Sequence, residues 1–82
     1  MDTIVVEFKI AASGETHDLE IPKYIKVIDL IRALNTAYSL NIDMSQPEQL
    51  YLQTEEPAAL LMGDHTLEKF GLHNGTKLIF AR

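Results

Sequence analysis

The chain contains no cysteine, and its seven lysines and arginines are outnumbered by twelve aspartates and glutamates. No apolar run approaches the ~20 residues that a membrane-spanning helix needs. Each shortage excludes a class of protein. Without cysteine there is no disulfide, no thiolate nucleophile and no cysteine-ligated zinc, which fits a reducing cytoplasm. The net charge of −5, with its few cations scattered, argues against nucleic acid, because neutralising phosphates takes a basic stripe. The same balance disfavours docking on anionic lipid. Met1-Asp2-Thr3 opens the chain without a positive charge or an apolar h-region, so no signal peptide is expected. The expectation is a soluble, cytoplasmic protein that meets other proteins or small molecules.

What is present suits one small unit, residues 1–82. A chain of this length buries roughly 60–65% of the surface it exposes when unfolded, so its core is thin. An apolar fraction of 46% is ordinary for a folded protein and argues against disorder. From Thr3 to Ile10 the pattern alternates, with Ile4, Val6, Phe8 and Ile10 on one side, which predicts a half-buried strand. Ala11 to Glu15 forms a turn around Gly14. His17 to Ile21 alternates again until Pro22, which cannot donate to a ladder. The two runs make a hairpin. Asp18 and Glu20 would discourage pairing along the edge of the second strand.

The period then changes. Val27, Leu30, Ile31, Leu34 and Ala37 or Tyr38 form the stripe of an amphipathic helix over about Lys26 to Ser39, with Asn41 as a stop. Ile25 and Lys26 stand where a Ser, Thr, Asp or Asn cap would be expected, so the helix start is the least determined boundary. Ser45-Gln46-Pro47-Glu48 has capping-box spacing, although a single turn before a strand suits the residues that follow. Leu50 to Leu52 and Ala59 to Leu61 read as short strands. Thr66 to Gly71 reads as one helical turn closed by glycine, and Thr76 to Arg82 as the last strand. This order is α+β: a mixed sheet of four to five strands carrying one helix on one face, with the first and last strands parallel at its centre.

No residue set supports catalysis, a metal or a cofactor. His17, His65 and His73 lack the i, i+4 spacing of a helical zinc pair, and no cysteine completes a set. Glu55-Glu56 precedes a proline in an expected loop, where nothing would drive two carboxyl pKa values apart. Asn74-Gly75-Thr76 matches a glycosylation sequon but reads better as a turn. Strand parity turns Val5, Tyr51, Ile79 and Ala81 to the outer face of the sheet, and a contiguous apolar stripe there would mark a protein-binding surface.

Two stretches carry a resemblance that spans essentially the whole chain. Leu67-x-x-x-Gly71-Leu72-x-x-Gly75-x-x-Leu78 resembles the closing turn and strand of a ubiquitin-like β-grasp domain. Asp18-Leu19-x-Ile21-Pro22 followed by Tyr24, with Val27-Ile28-x-Leu30-Ile31 in the helix, narrows the likeness. Together they resemble the small ubiquitin-like proteins of Gram-positive type VII (WXG100) secretion systems, the YukD/EsaB family. One departure is Lys26, where such proteins often carry a proline suited to a helix start. The resemblance implies a cytoplasmic accessory or regulatory component of the secretion machinery that binds proteins of the apparatus. It implies no catalytic residue. No glycine of the chain adjoins another and none follows Arg82, so conjugation through a diglycine tail is not expected. A ubiquitin-like modifier or sulfur carrier, and a generic grasp-fold adaptor, are the alternatives. Self-association through the sheet face or an edge strand stays open.

Overall fold

Thr3–Ile10 forms strand β1 with Ile4, Val6, Phe8 and Ile10 buried, and the alternation of the sequence carries directly into space. The computed structural model describes residues 2–55 and 58–81. Arg82, and with it the chain end, lies outside the described residues, as do Glu56 of the Glu55-Glu56 pair and Pro57. The remaining elements are β2 (Glu15–Pro22), α1 (Val27–Tyr38), β3 (Tyr51–Glu55), β4 (Ala59–Met62) and β5 (Lys77–Phe80). Two 3-10 turns, Pro47–Gln49 and Leu67–Phe70, precede β3 and β5 respectively.

The sheet order is β2-β1-β5-β3-β4, with β1 and β5 parallel and the other neighbours antiparallel. Helix α1 lies across one face. Its Val27, Leu30, Ile31 and Leu34 join Phe8, Leu52, Leu61, Leu67 and Leu78 in one buried cluster. Each such side chain contributes about 1.5–3 kcal/mol when withdrawn from water. At the end of the stripe Tyr38, rather than Ala37, packs against the core, its ring 5.4 Å from Phe8 and 4.8 Å from His17. His17 therefore takes its inward parity, half-buried, with Nε2 3.6 Å from the Glu15 carboxylate. The last strand is shorter than expected: Thr76 and Ala81 fall outside β5.

A side chain extends the parallel β1–β5 pair beyond its strand residues. Val5 N–H donates to Asn74 Oδ1 (2.8 Å), and Gly75 N–H donates back to the Val5 carbonyl (2.9 Å). Glu7 N–H then donates to the Thr76 carbonyl at 3.0 Å. Gly75 holds φ +92, a left-handed conformation that glycine adopts without a Cβ penalty. The Asn74-Gly75-Thr76 motif is thus a turn whose asparagine is used by the sheet.

Helix α1 is capped by other parts of the chain. Lys26 is the N-cap, at φ −73 and ψ 145, and its side chain makes no capping bond. Instead Val27 N–H donates to the His65 carbonyl (2.9 Å), while Leu67 and Glu68 donate to the carbonyls of Ile25 and Lys23. Those bonds flank an isolated antiparallel bridge between Lys26 and Thr66. At the other end Ser39 is left-handed (φ 52), two residues earlier than a stop at Asn41, which is itself left-handed at φ 60. The Asn35 amide donates to the Ile42 carbonyl and accepts from Ile42 N–H, both at 3.0 Å. This clamp holds Ile42 in the core.

The capping box that the Ser45-x-x-Glu48 spacing would allow does not form, because the Ser45 hydroxyl and amide both donate to Asp43. Those donors, the hydroxyl first, hold the Asp43 carboxyl below the usual carboxylate range. Pro47–Gln49 is the single turn before β3 that the residues favoured.

Two substitutions test this capping. Lys26 already holds a proline-like φ, so Lys26→Pro is expected to raise stability by about 0.4–1 kcal/mol in chemical denaturation. A fall in midpoint would show that the Lys26 N–H is needed. Asn35→Ala removes both partners of Ile42 and is expected to cost about 1–3 kcal/mol, with faster amide exchange at Ile42.

Candidate protein-binding face

The inward side chains of β3, β4 and β5 (Leu52, Leu61 and Leu78) are almost wholly buried. Their neighbours along each strand must point the other way. Pairing sets Gln53 against both Ile79 on β5 and Leu60 on β4, and Tyr51 against Met62. One row of the outer face therefore reads Lys9, Ile79, Gln53, Leu60 across four strands. Two residues further along the same register, Ala81 follows the end of β5 on the side of Tyr51 and Met62. Leu60 and Met62 are 47% and 46% exposed, while Tyr51 and Ile79 are partly covered.

The outer face thus brings together three of the four residues expected there. Tyr51, Ile79 and Ala81 share one end of the sheet, beside Leu60 and Met62. Val5 does not join them. It is 46% exposed but pairs with Glu20, at the Asn74-Gly75 end of β1. Between Val5 and the patch runs a charged row in which Glu7 pairs with Asp18 and Lys77, and Lys77 with Glu55. Parity alone identifies Val5 as outward-facing, but the register separates it from the other three.

Leu60 and Met62 were absent from the expected site although their signal was in the sequence. If Ala59 and Leu61 face inward, the alternate residues must face out. The expected strand also stopped at Leu61, one residue short of Met62. The two sheet edges differ in charge. Edge strand β2 carries Glu15, Asp18 and Glu20, whereas edge strand β4, Ala-Leu-Leu-Met, carries none. A further exposed aromatic, Tyr24, lies off the sheet in the β2–α1 connection, with Lys23 Nζ 5.2 Å from its ring centre.

No three His, Asp or Glu side chains among the described residues converge on a position that could hold a metal. His65 lies edge-on to Phe70, and His73 Nδ1 is 2.8 Å from the Asn74 carbonyl oxygen, so each is engaged locally. An open groove of about 290 Å³ lies between the β1–β2 turn and the end of α1, lined by Ile10, Tyr38, Leu40 and Phe80 among others. Among the described residues, no helix is long and apolar enough to cross a membrane.

Comparison with solved structures places this architecture among ubiquitin-like β-grasp domains. The C-terminal ubiquitin-like domain of mouse tubulin-specific chaperone e superposes with a TM-score of 0.74 at 15% identity, covering 95% of this chain and 84% of that one. The UBL domain of yeast Ddi1 gives 0.71 at 15% identity, over 96% and 87%. The UBL domain of Plasmodium falciparum Dsk2 gives 0.62 at 22%, over 94% and 96%. At such identities the likeness shows the fold alone. No curated protein matches the chain significantly. The family model described as "WXG100 protein secretion system (Wss), protein YukD", however, matches residues 5–80. That span runs from β1 through β5, and the chain belongs to the YukD family of the WXG100 protein secretion system.

Proposed function

We propose that this protein acts in type VII secretion by binding rather than by catalysis, as an accessory or regulatory ubiquitin-like component in the cytoplasm. Its partner is another protein of the WXG100 apparatus, and the contact is made through the outer face of the sheet. The carrying observation is the cluster of Leu60 and Met62 beside Tyr51, Ile79 and Ala81, on the face opposite the helix. Contiguous exposed apolar surface is uncommon on small domains unless something covers it. A tyrosine among aliphatic side chains also suits the centre of an interface. Gln53 lies inside the cluster, between Ile79 and Leu60, while Lys9, Glu55 and Lys77 supply a polar border that would fix orientation and on-rate more than affinity. Val5, beyond the Glu7–Lys77 row, is peripheral to this contact.

The test is recovery of secretion-apparatus proteins from the host by the tagged protein. Tyr51→Ala, Ile79→Asp and Met62→Asp are each expected to leave stability within about 1 kcal/mol of the parent, because none is a core residue. Each should reduce recovery by about tenfold or more, while Val5→Ala retains it. Recovery unchanged in all three variants would remove the outer face from the proposal. Leu61→Ala separates surface from core effects: it is expected to cost about 2–5 kcal/mol in denaturation.

A further inference from the structure

Asn74-Gly75 is the single Asn-Gly step in the chain, and both residues are exposed. In an open chain this dipeptide is chemically labile. The Gly75 nitrogen, giving up its proton to solvent base, attacks Asn74 Cγ and closes a five-membered succinimide. The Cγ–Nδ2 bond breaks, and the amide leaves as ammonia with a proton taken from water. Water then adds to either ring carbonyl, and opening yields aspartate or isoaspartate. Glycine promotes the reaction because no side chain hinders approach to its nitrogen.

The fold ties both reacting groups to one residue. The nucleophile, Gly75 N–H, is donated to the Val5 carbonyl at 2.9 Å, and the electrophile's oxygen, Asn74 Oδ1, accepts from Val5 N–H at 2.8 Å. Bending the side chain back onto its own main chain requires both bonds to open together. Thr76 and His73 brace the turn, with His73 N–H donating to Thr76 Oγ1 and Thr76 N–H to the His73 carbonyl, each at 3.1 Å. Exposure alone would make the site fast, but the hydrogen bonding makes it slow.

We propose that Asn74-Gly75 is a latent modification site, held unreactive by the Val5 backbone, that undergoes succinimide formation and hydrolysis only in molecules whose β1–β5 junction has opened. Its two products differ in consequence. Aspartate keeps an acceptor oxygen where Val5 N–H needs one and allows the junction to close again. Isoaspartate lengthens the main chain by one carbon, carries Gly75 N–H away from Val5, and blocks re-pairing. Opening of the central strand pair is thereby recorded as an irreversible covalent change.

Peptide mapping of the full chain, held at mildly alkaline pH either folded or in denaturing urea, tests the gate. Deamidation at Asn74 is expected at least about tenfold slower in the folded protein, because exposed backbone bonds must first open. Rates within a factor of about two of each other would overturn the proposal. Leu78→Ala, which loosens the strand beneath the junction, should speed the reaction without urea; if that variant fails to fold, its rate should equal the denatured one. A rate unchanged from the folded parent would count against gating by the junction. After ageing in urea and refolding, isoaspartyl methyltransferase should label the non-native pool, while native protein carries aspartate and Asn74→Asp folds like the parent. Isoaspartate spread equally through both pools would overturn the assignment of the products.

Discussion

The parallel pairing of β1 with β5 holds the two halves of the sheet together. Parallel neighbours cannot be joined by a tight turn, so everything between Ile10 and Lys77 becomes a crossover. Within that crossover α1 covers one face, and β3 and β4 attach to the free side of β5. If β5 leaves, β2-β1 and β3-β4 become two separate hairpins, and Phe8 and Leu78 at the centre of the core lose their cover. The bonds from Val5 and Glu7 to the Asn74-Thr76 turn fasten the beginning of this pair, where β5 enters the sheet.

The same dependence on distant partners appears at the helix. Its first turn has no local cap, yet its orphan donor at Val27 finds the His65 carbonyl, from the segment leading into the Leu67–Phe70 turn. Its last turn is secured through the Asn35 side chain, which imitates a strand partner for Ile42. In a chain this small, backbone groups near the core must be satisfied by whichever element lies nearest. Helix, turn and loop are therefore coupled, and a weak propensity at Lys26 is compensated by tertiary contact.

With one face closed by α1, the opposite face carries the proposed contact. It is divided by a charged row through Asp18, Glu7, Lys77 and Glu55, three carboxylates and one ammonium. Beyond that row the side chains become apolar toward β4, the uncharged edge. YukD family membership and the ubiquitin-like fold say which system and which scaffold are involved. The charge boundary and the apolar cluster come from the register of this chain's strands, and the proposed contact rests on them.

Periodicity made much of the fold legible. The alternation of Ile4, Val6, Phe8 and Ile10, the stripe of Val27, Leu30, Ile31 and Leu34, and glycine at position 71 each specify an element through interactions a few residues long. The family likeness was legible too, because motifs such as Asp18-Leu19-x-Ile21-Pro22 are contiguous. Parity likewise identified outward side chains, since period two is a property of a single strand. Which outward side chains become neighbours depends on register between strands distant in sequence, and one strand's pattern does not contain it. Only the tertiary structure set Val5 apart from Tyr51, Ile79 and Ala81, brought Leu60 and Met62 beside them, and gave Asn74 a backbone partner 69 residues away.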